Sequence, residues 1–497
     1  MRGIIKKWIF PGGGEAAVLY CTRCRRLALS LFLTILFLLP SGASRTVSAL
    51  EFPPPEKISF PPLRFSPPSA QRIILENGLR LYIMEDHELP VVKVTLLIAA
   101  GAMYDEAGEE GCAELTAALM RSGGTELMTP RQLDEILAGM AATIEPAAGM
   151  EQVQWSLFSL RNNFENVFEI FSRIIRAPRF DAGRLKLLKE LKSEEIRRLP
   201  DDPQRWAFKE FSRLMYAGNP RGRLPTRSSI NRITATELRR CHRRYYAPDN
   251  MILAVSGDIR PADAERIVRR AFGDWQDKSD KPSVPAPFQN FHGGQYYLLK
   301  DTPQTVIVIG RPAPAKGTED YFAFEIIDHV LGSGGFGSRI FQKIRTDRGL
   351  AYATGSFYRD RKDYGVLGAY ALTGTDTAVA VVQLITDIVH EMGRNGLSRE
   401  EIAKAKNAIL NSFIFSFATP HQLASQQAAL AFDALPDDFL SRYRPRIEAI
   451  TAAEIKAAAA AWLKSDQALL FMLGNRYGYE KTSSFYKDLQ KVMVNYD

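Results

Sequence analysis

The chain has 497 residues, 46% of them apolar and 24% charged, a balance that suits folded domains and excludes disordered or collagen-like polymers. Its length exceeds what one ordinary core serves, so two domains or more are expected. The formal charge of +8 does not mark a nucleic-acid binder. Residues 1–49 carry seven Lys/Arg against the single acid Glu15, and the near-neutral remainder has no basic stripe.

The chain opens with an expected export signal over residues 1–49. Arg25-Arg26 precedes LALSLFLTILFLL (27–39), then come Pro40 and the small-residue cleavage site Val47-Ser48-Ala49. The apolar run is too short for the roughly 20 residues that a bilayer span needs, so no stable membrane span is expected. Cleavage would leave a periplasmic or secreted protein, and an uncleaved signal would anchor it. Cys21 and Cys24 lie in this segment. Cys112 and Cys241, in predicted helices, are expected to be free and buried rather than bridged.

Residues 50–71, LEFPPPEKISFPPLRFSPPSAQ, read as a proline-rich extended tether. NGLRLYIMEDHELPVVKVTLLIAAGA (77–102) predicts two strands joined by a turn, the second central. Thr129-Pro130 with Gln132 is a capping box. FDAGRLKLLKELKSEEIRR (180–198) predicts a helix capped by Asp181.

An internal repeat sets the layout. INRITATEL (230–238) and IEAITAAEI (447–455) correspond at an offset of 217, which also places Asp249 on Asp466 and Gly257 on Gly474. The fold class is therefore α+β, with two homologous α/β domains, each a sheet covered by helices. The first is expected over 72–281 and the second over 295–497. PSVPAPFQNFHGG (282–294) is the linker.

Five stretches together, NGLRLYIMEDHELPVV, EEIRRLPDDP, YYAPDNMILAVSGD, VLGSGGFGSRIFQKIRTDRGLAY and RIEAITAAEIKAAAAAWL, resemble the insulinase-like (pitrilysin, M16) zinc peptidases of the short two-domain type. The resemblance implies one half of a clam-shell around a peptide chamber. In that family a helix carries H-x-x-E-H, two histidines holding zinc on one face while the glutamate activates the metal-bound water. The matching stretch is GCAELTAALM (111–120). Glu114 stands at the first histidine, Ala117 at the base and Ala118 at the second histidine. Glu195 best matches the third ligand, and Glu194, one residue off, stays open. The six histidines (87, 242, 292, 329, 390 and 421) form no alternative pair, so no zinc is expected on this chain. On a bland reading Glu114 is a solvated or capping carboxylate, and Glu194 and Glu195 are surface charges on a long helix.

The second domain keeps more. Within FQKIRTDRGLAY, Arg345 and Tyr352 match the family's arginine–tyrosine pair, which the resemblance gives a role in gripping substrate and stabilising the oxyanion. The plainer alternative is an Arg345–Asp347 ion pair and a core tyrosine; Arg348 does not match the spacing. GSGGFG (332–337) follows a predicted helix and reads as a C-cap and loop, not a dinucleotide fingerprint. His87 and His421 call for no ligand role.

The expected function is an exported, non-catalytic M16 homologue. It would bind peptide or unfolded protein and complete the site of a homologous H-x-x-E-H subunit in a heterodimer, with zinc on that partner. A zinc metalloendopeptidase with unorthodox ligands and a scaffold without peptide handling are the alternatives.

Overall fold

The computed structural model describes residues 67–288, 291–463, 468–494 and 496–497, all within one unit that begins at Arg64. The export signal, the tether up to residue 66, Cys21, Cys24 and Asp466 lie outside the described residues.

Two six-stranded sheets organise the chain. The first holds β1 (Gln71–Ile74), β2 (Arg80–Glu85), β3 (Val91–Ile98), β4 (Thr143–Ala148), β5 (Val153–Leu160) and β6 (Met251–Gly257), in the order β1-β2-β6-β3-β5-β4. The second holds β7 (Gly294–Leu299), β8 (Gln304–Ala313), β9 (Ala351–Asp360), β10 (Gly365–Gly374), β11 (Leu469–Gly474) and β12 (Gln490–Val492), in the order β12-β7-β11-β8-β10-β9. Central β6, MILAVSG, is buried along nearly its whole length, whereas β5, VQWSLFSL, alternates buried and exposed residues. Position in the sheet thus explains which strands are continuously apolar and which alternate.

Five strands repeat between the sheets. β2 and β6 pair in parallel, as do β7 and β11. β6–β3–β5–β4 and β11–β8–β10–β9 are antiparallel throughout. The two domains are homologous, and the fold is a mixed α/β duplication.

The helices of the first half are α1 (Cys112–Ser122), α2 (Pro130–Gly139), α3 (Phe164–Arg176), α4 (Ala182–Arg198), α5 (Pro203–Met215), α6 (Arg227–Arg232), α7 (Ala235–Tyr245) and α8 (Pro261–Phe272). Those of the second are α9 (Glu319–Asp328), α10 (Ala378–Asn395), α11 (Arg399–Phe413), α12 (Pro420–Phe432), α13 (Phe439–Ala449), α14 (Ala452–Trp462) and α15 (Arg476–Phe485). The 217-residue offset holds down to single contacts. Thr234 with Glu237 forms the capping box of α7, and Thr451 with Glu454 that of α14. Lys189 Nζ donates to the carbonyls of Asn231 and Ile233, and Lys406 Nζ to those of Glu448 and Ile450.

The halves exchange one helix each. α5 lays Trp206, Ala207 and Phe211 against Val306, Val308 and Phe471 of the second sheet. Its repeat, α12, lays Ala424 and Ala428 on Tyr82, Leu97 and Ile252 of the first. Gly310 in β8 has a packing reason to lack a side chain, because a Cβ there would sit 2.4 Å from the Phe211 ring. The exchange buries apolar surface between the halves, so they share a core rather than hinge on a linker.

Candidate functional site

Helix α1 begins at Gly111, whose φ of 104° is costly for any side-chain-bearing residue. The cap comes from Asp105, whose carboxylate accepts the backbone N–H groups of Gly111 and Ala113, each at 2.8 Å. Burial pushes this carboxyl up to about 7, against the two N–H groups that favour its charged form. Glu114 is not the cap, which corrects one of its expected roles.

The carboxylate of Glu114 instead meets an ammonium. Lys192 Nζ, on α4, lies 2.7 Å from Glu114 and 2.8 Å from Glu195. The lysine side chain is only 9% exposed. Arg205 of α5 holds the second oxygen of Glu195. Burial works to raise the Glu195 pKa, yet Lys192 and Arg205 together hold it below the usual carboxylate range. Glu194 projects elsewhere. It binds Arg197 and Arg198, which hold it down at about 2, and it lines an open groove of about 680 Å³ between α4 and the α6–α7 segment. Of the two glutamates, only Glu195 shares a partner with Glu114.

Ala117, the position that the resemblance gives to the base, is 1% exposed and carries only a methyl. Ala118 is half-buried and brings no donor atom. Among the described residues no three His, Cys, Asp or Glu side chains converge as a metal site. Two carboxylates with a cation already between them do not fit zinc, whose structural and catalytic sites take three or four N, S or O donors around one point.

Arg345 and Tyr352 come together on the other half. The Arg345 guanidinium lies 5.9 Å from the Tyr352 ring and 5.0 Å from that of Phe341. Tyr352 is 75% exposed, and among the described residues Arg345 has no carboxylate partner. The alternative of a core tyrosine and an Arg345–Asp347 ion pair is thereby removed. Phe336, from the glycine-rich loop, packs edge-on against Phe341 at 4.8 Å, which extends the pair into an exposed aromatic–cation patch. Tyr352 starts the edge strand β9, and Arg359, seven residues on, is near its end, roughly 23 Å away at 3.3 Å per residue. Arg359 lines the cavity that contains Glu114 and Lys192, whereas Arg345 and Tyr352 do not. The Glu114–Lys192–Glu195 cluster and the Arg345–Tyr352 pair are therefore separate features of one chain.

Two histidines make structural contacts. His421 on α12 bonds Ser256 at 2.8 Å, with burial pushing its pKa down to about 4, and helps seat α12 on the first sheet. His87 contacts Glu85 at 2.7 Å and also Asp258.

Residues 80–225 match the family described as "Insulinase (Peptidase family M16)" and residues 232–409 match "Peptidase M16 inactive domain". The chain belongs to the M16 family. Among curated relatives, an uncharacterized zinc protease of Mycobacterium leprae, ML0855, is 25% identical over 69% of this chain and 78% of its own length. YmxG of Bacillus subtilis, also an uncharacterized zinc protease, is 22% identical over 72% and 86%. Among solved structures, an M16 inactive domain from Pseudomonas fluorescens covers 82% of this chain and 98% of itself, with a TM-score of 0.76 and 24% identity. The first half of the periplasmic protease PqqL from Escherichia coli covers 83% and 93%, with a TM-score of 0.69 and 18% identity. At these identities the structures establish the shared fold. The fold was readable in M16 terms from the sequence, and the structure brings Arg345 and Tyr352 side by side. Lys192 was not, because it sits between two glutamates that the motif does not join to it.

Proposed function

We propose that this M16 homologue is a non-catalytic subunit that binds peptide and completes the active site of an H-x-x-E-H-bearing homologue. The observation that carries this reading is the Lys192 ammonium bound between Glu114 and Glu195. The ammonium would occupy the place a zinc ion needs, and the buried Ala117 methyl leaves no group there to deprotonate a water. Zinc would then reside on the partner, and this chain would contribute none of its ligands.

What the chain would contribute is Arg345 and Tyr352. A guanidinium and a phenol, exposed and already side by side, can grip a peptide carbonyl and stabilise its oxyanion as it becomes tetrahedral. Because both project from the protein, a reacting group held by another subunit can reach them. The family resemblance and the export-like front of the sequence support a periplasmic or secreted location. No helix of the described residues is long and apolar enough to cross a membrane.

Co-expression with an M16 homologue that retains H-x-x-E-H, followed by cleavage of an unfolded substrate, tests the reading. The chain alone should show no chelator-sensitive cleavage, and the pair should be active. Arg345→Ala or Tyr352→Phe on this chain should lower kcat of the pair by about 10²-fold, the cost typical of one lost oxyanion donor. Undiminished activity in both variants would leave only a scaffold role.

A further inference from the structure

The cavity that holds Glu114 and Lys192, about 450 Å³ in volume, is formed by both halves of the chain. On α5, Arg205, Lys209 and Ser212 follow one another along one face and point into it. Arg359 and Arg361 reach in from the end of β9 and the turn that follows, and Arg221 closes the floor. Three of these positive groups have carboxylates in hydrogen-bonding contact. Lys192 has Glu114 and Glu195, Arg205 shares Glu195, and Arg361 has Glu151 at 2.9 Å.

The others are under-paired. Lys209 has no carboxylate within ion-pair distance among the described residues, and burial together with the Lys192 ammonium holds its pKa below the ordinary value. Among the described residues Arg359 reaches only Ser212 Oγ, at 3.5 Å, and otherwise stacks on Phe357 at 4.9 Å. Arg221 is 3% exposed, its Nε lacks a hydrogen-bond partner, and its nearest carboxylates, Glu151 and Asp363, are 3.6 Å away. Keeping Lys209 and Arg359 partly desolvated without a paired carboxylate is costly, and an incoming anion would offset that cost. The acids that line the cavity do not cancel them. Glu114 is committed to Lys192, Glu110 accepts the N–H of Gly108, and Asp105 is pushed towards its neutral form. The walls include Phe208, Tyr216 and Met150, and Ala148 and Gly149 bring the end of edge strand β4 to the rim. An extended chain laid along that open edge would run into the cations.

We propose that this cavity binds a peptide carboxylate, from an acidic side chain or a C-terminus, with Lys209 and Arg359 as its direct partners. The inference rests on the peptide-binding reading above and deepens it by naming the substrate class. The test uses the full chain and three dye-labelled peptides of equal length in an anisotropy titration: glutamate-rich with an amidated end, glutamine-rich with a free carboxylate, and glutamine-rich with an amidated end. At least one carboxylate peptide should bind about tenfold tighter than the neutral one, since a charge-assisted bond is worth roughly 1.5–3 kcal/mol. The better of the two identifies the source. Lys209→Met and Arg359→Gln, checked for unchanged melting, should each remove most of that preference. Equal binding of all three peptides overturns the carboxylate site while leaving peptide binding intact. Binding of none overturns both.

A separate observation carries a second inference. Cys112, the first residue of α1, and Cys241 on α7 are free thiols in the structure with Sγ atoms 2.6 Å apart. The expectation of burial holds for Cys112 but not for half-buried Cys241, and the two thiols are partners in space. The geometry points to a site of oxidation that would staple α1, the degenerate zinc helix, to α7. Reaction with a small-molecule disulfide would form one Sγ–Sγ bond, and the oxidant would take the two protons and the electron pair to become two thiols. Full chain treated with oxidised glutathione, then alkylated in denaturant and mapped by mass spectrometry, should yield a Cys112–Cys241 cross-linked peptide with neither residue alkylated. Complete alkylation of both, or pairing with Cys21 or Cys24, would overturn it. Cys241→Ser should return Cys112 to full alkylation.

Discussion

Helices α4 and α11 are copies of one another, and they have been put to different uses. Asp181 caps the first and Ser398 the second, 217 residues on. Lys189 and Lys406 make the same two carbonyl contacts. One turn after Lys189 the copies part. Lys192 and Glu195 of α4 form the charged cluster with Glu114, whereas the corresponding Ile409 and Ser412 of α11 are an apolar core residue and a serine whose hydroxyl bonds the Ile409 carbonyl. Contacts that hold the layers together are kept in both halves, while the Glu114–Lys192–Glu195 cluster belongs to one half alone.

The largest break in this comparison comes from rebuilding the metal site. With Lys192 in place, the combined change Glu114→His, Ala117→Glu and Ala118→His should bind little zinc, because the ammonium repels the ion and competes for Glu195. Adding Lys192→Ala should raise zinc to near-stoichiometric levels by metal analysis after dialysis. Full zinc with Lys192 still present would mean that the ammonium is not the obstacle.

A second test compares the diverged positions themselves. Ile409→Ala should cost about 2–3 kcal/mol in denaturant unfolding, the range for a buried isoleucine cut back beside a core that relaxes only in part. Lys192→Ala should cost about 1 kcal/mol, since Glu114 and Glu195 are both partly exposed and water can screen the charges left behind. Equal costs would make Lys192 a structural keystone and weaken its reading as the successor to a metal.

Each half also buries one carboxyl held near neutrality, Asp105 at the start of α1 and Glu325 on α9. Burial pushes both up to about 7, although Tyr443 donates a hydrogen bond to Glu325. The folded chain therefore favours the protonated acids. That contribution is complete below the ordinary values of 3.8 and 4.5 and is lost as pH rises through about 7. Stability should fall across that window, and Asp105→Asn and Glu325→Gln should each flatten part of the fall in unfolding curves taken at successive pH values.

The duplication was legible because it is written in caps and turns. Thr234/Glu237 and Thr451/Glu454 are local signals, fixed by hydrogen bonds three residues apart. The absence of an H-x-x-E-H pattern from α1 is local in the same way, since that motif sets its two histidines one turn apart. Lys192 and Lys209 escaped notice because their meaning depends on α1, α4, α5 and β9 meeting in space, and a lysine on a long helix otherwise reads as a solvated charge. The contact of Cys112 with Cys241 escaped likewise, because the packing of α1 on α7 brings together residues 129 positions apart.

The smallest expected effect is the sharpest check on the shared scaffold. Lys189 places its ammonium on carbonyls at the end of α6, and Lys406 does so at the end of α13, where the helix dipole favours a cation. Burial lowers the pKa of both lysines. Identical geometry and the same electrostatic setting call for the same energy, so Lys189→Met and Lys406→Met should each cost about 1 kcal/mol. The sites lie in different halves and share no partner, so the double change should be additive within about 0.5 kcal/mol. A cost confined to one half would mean that the matching contacts are inherited geometry without equal energetic weight, and that α4 and α11 diverged in stability as well as in use.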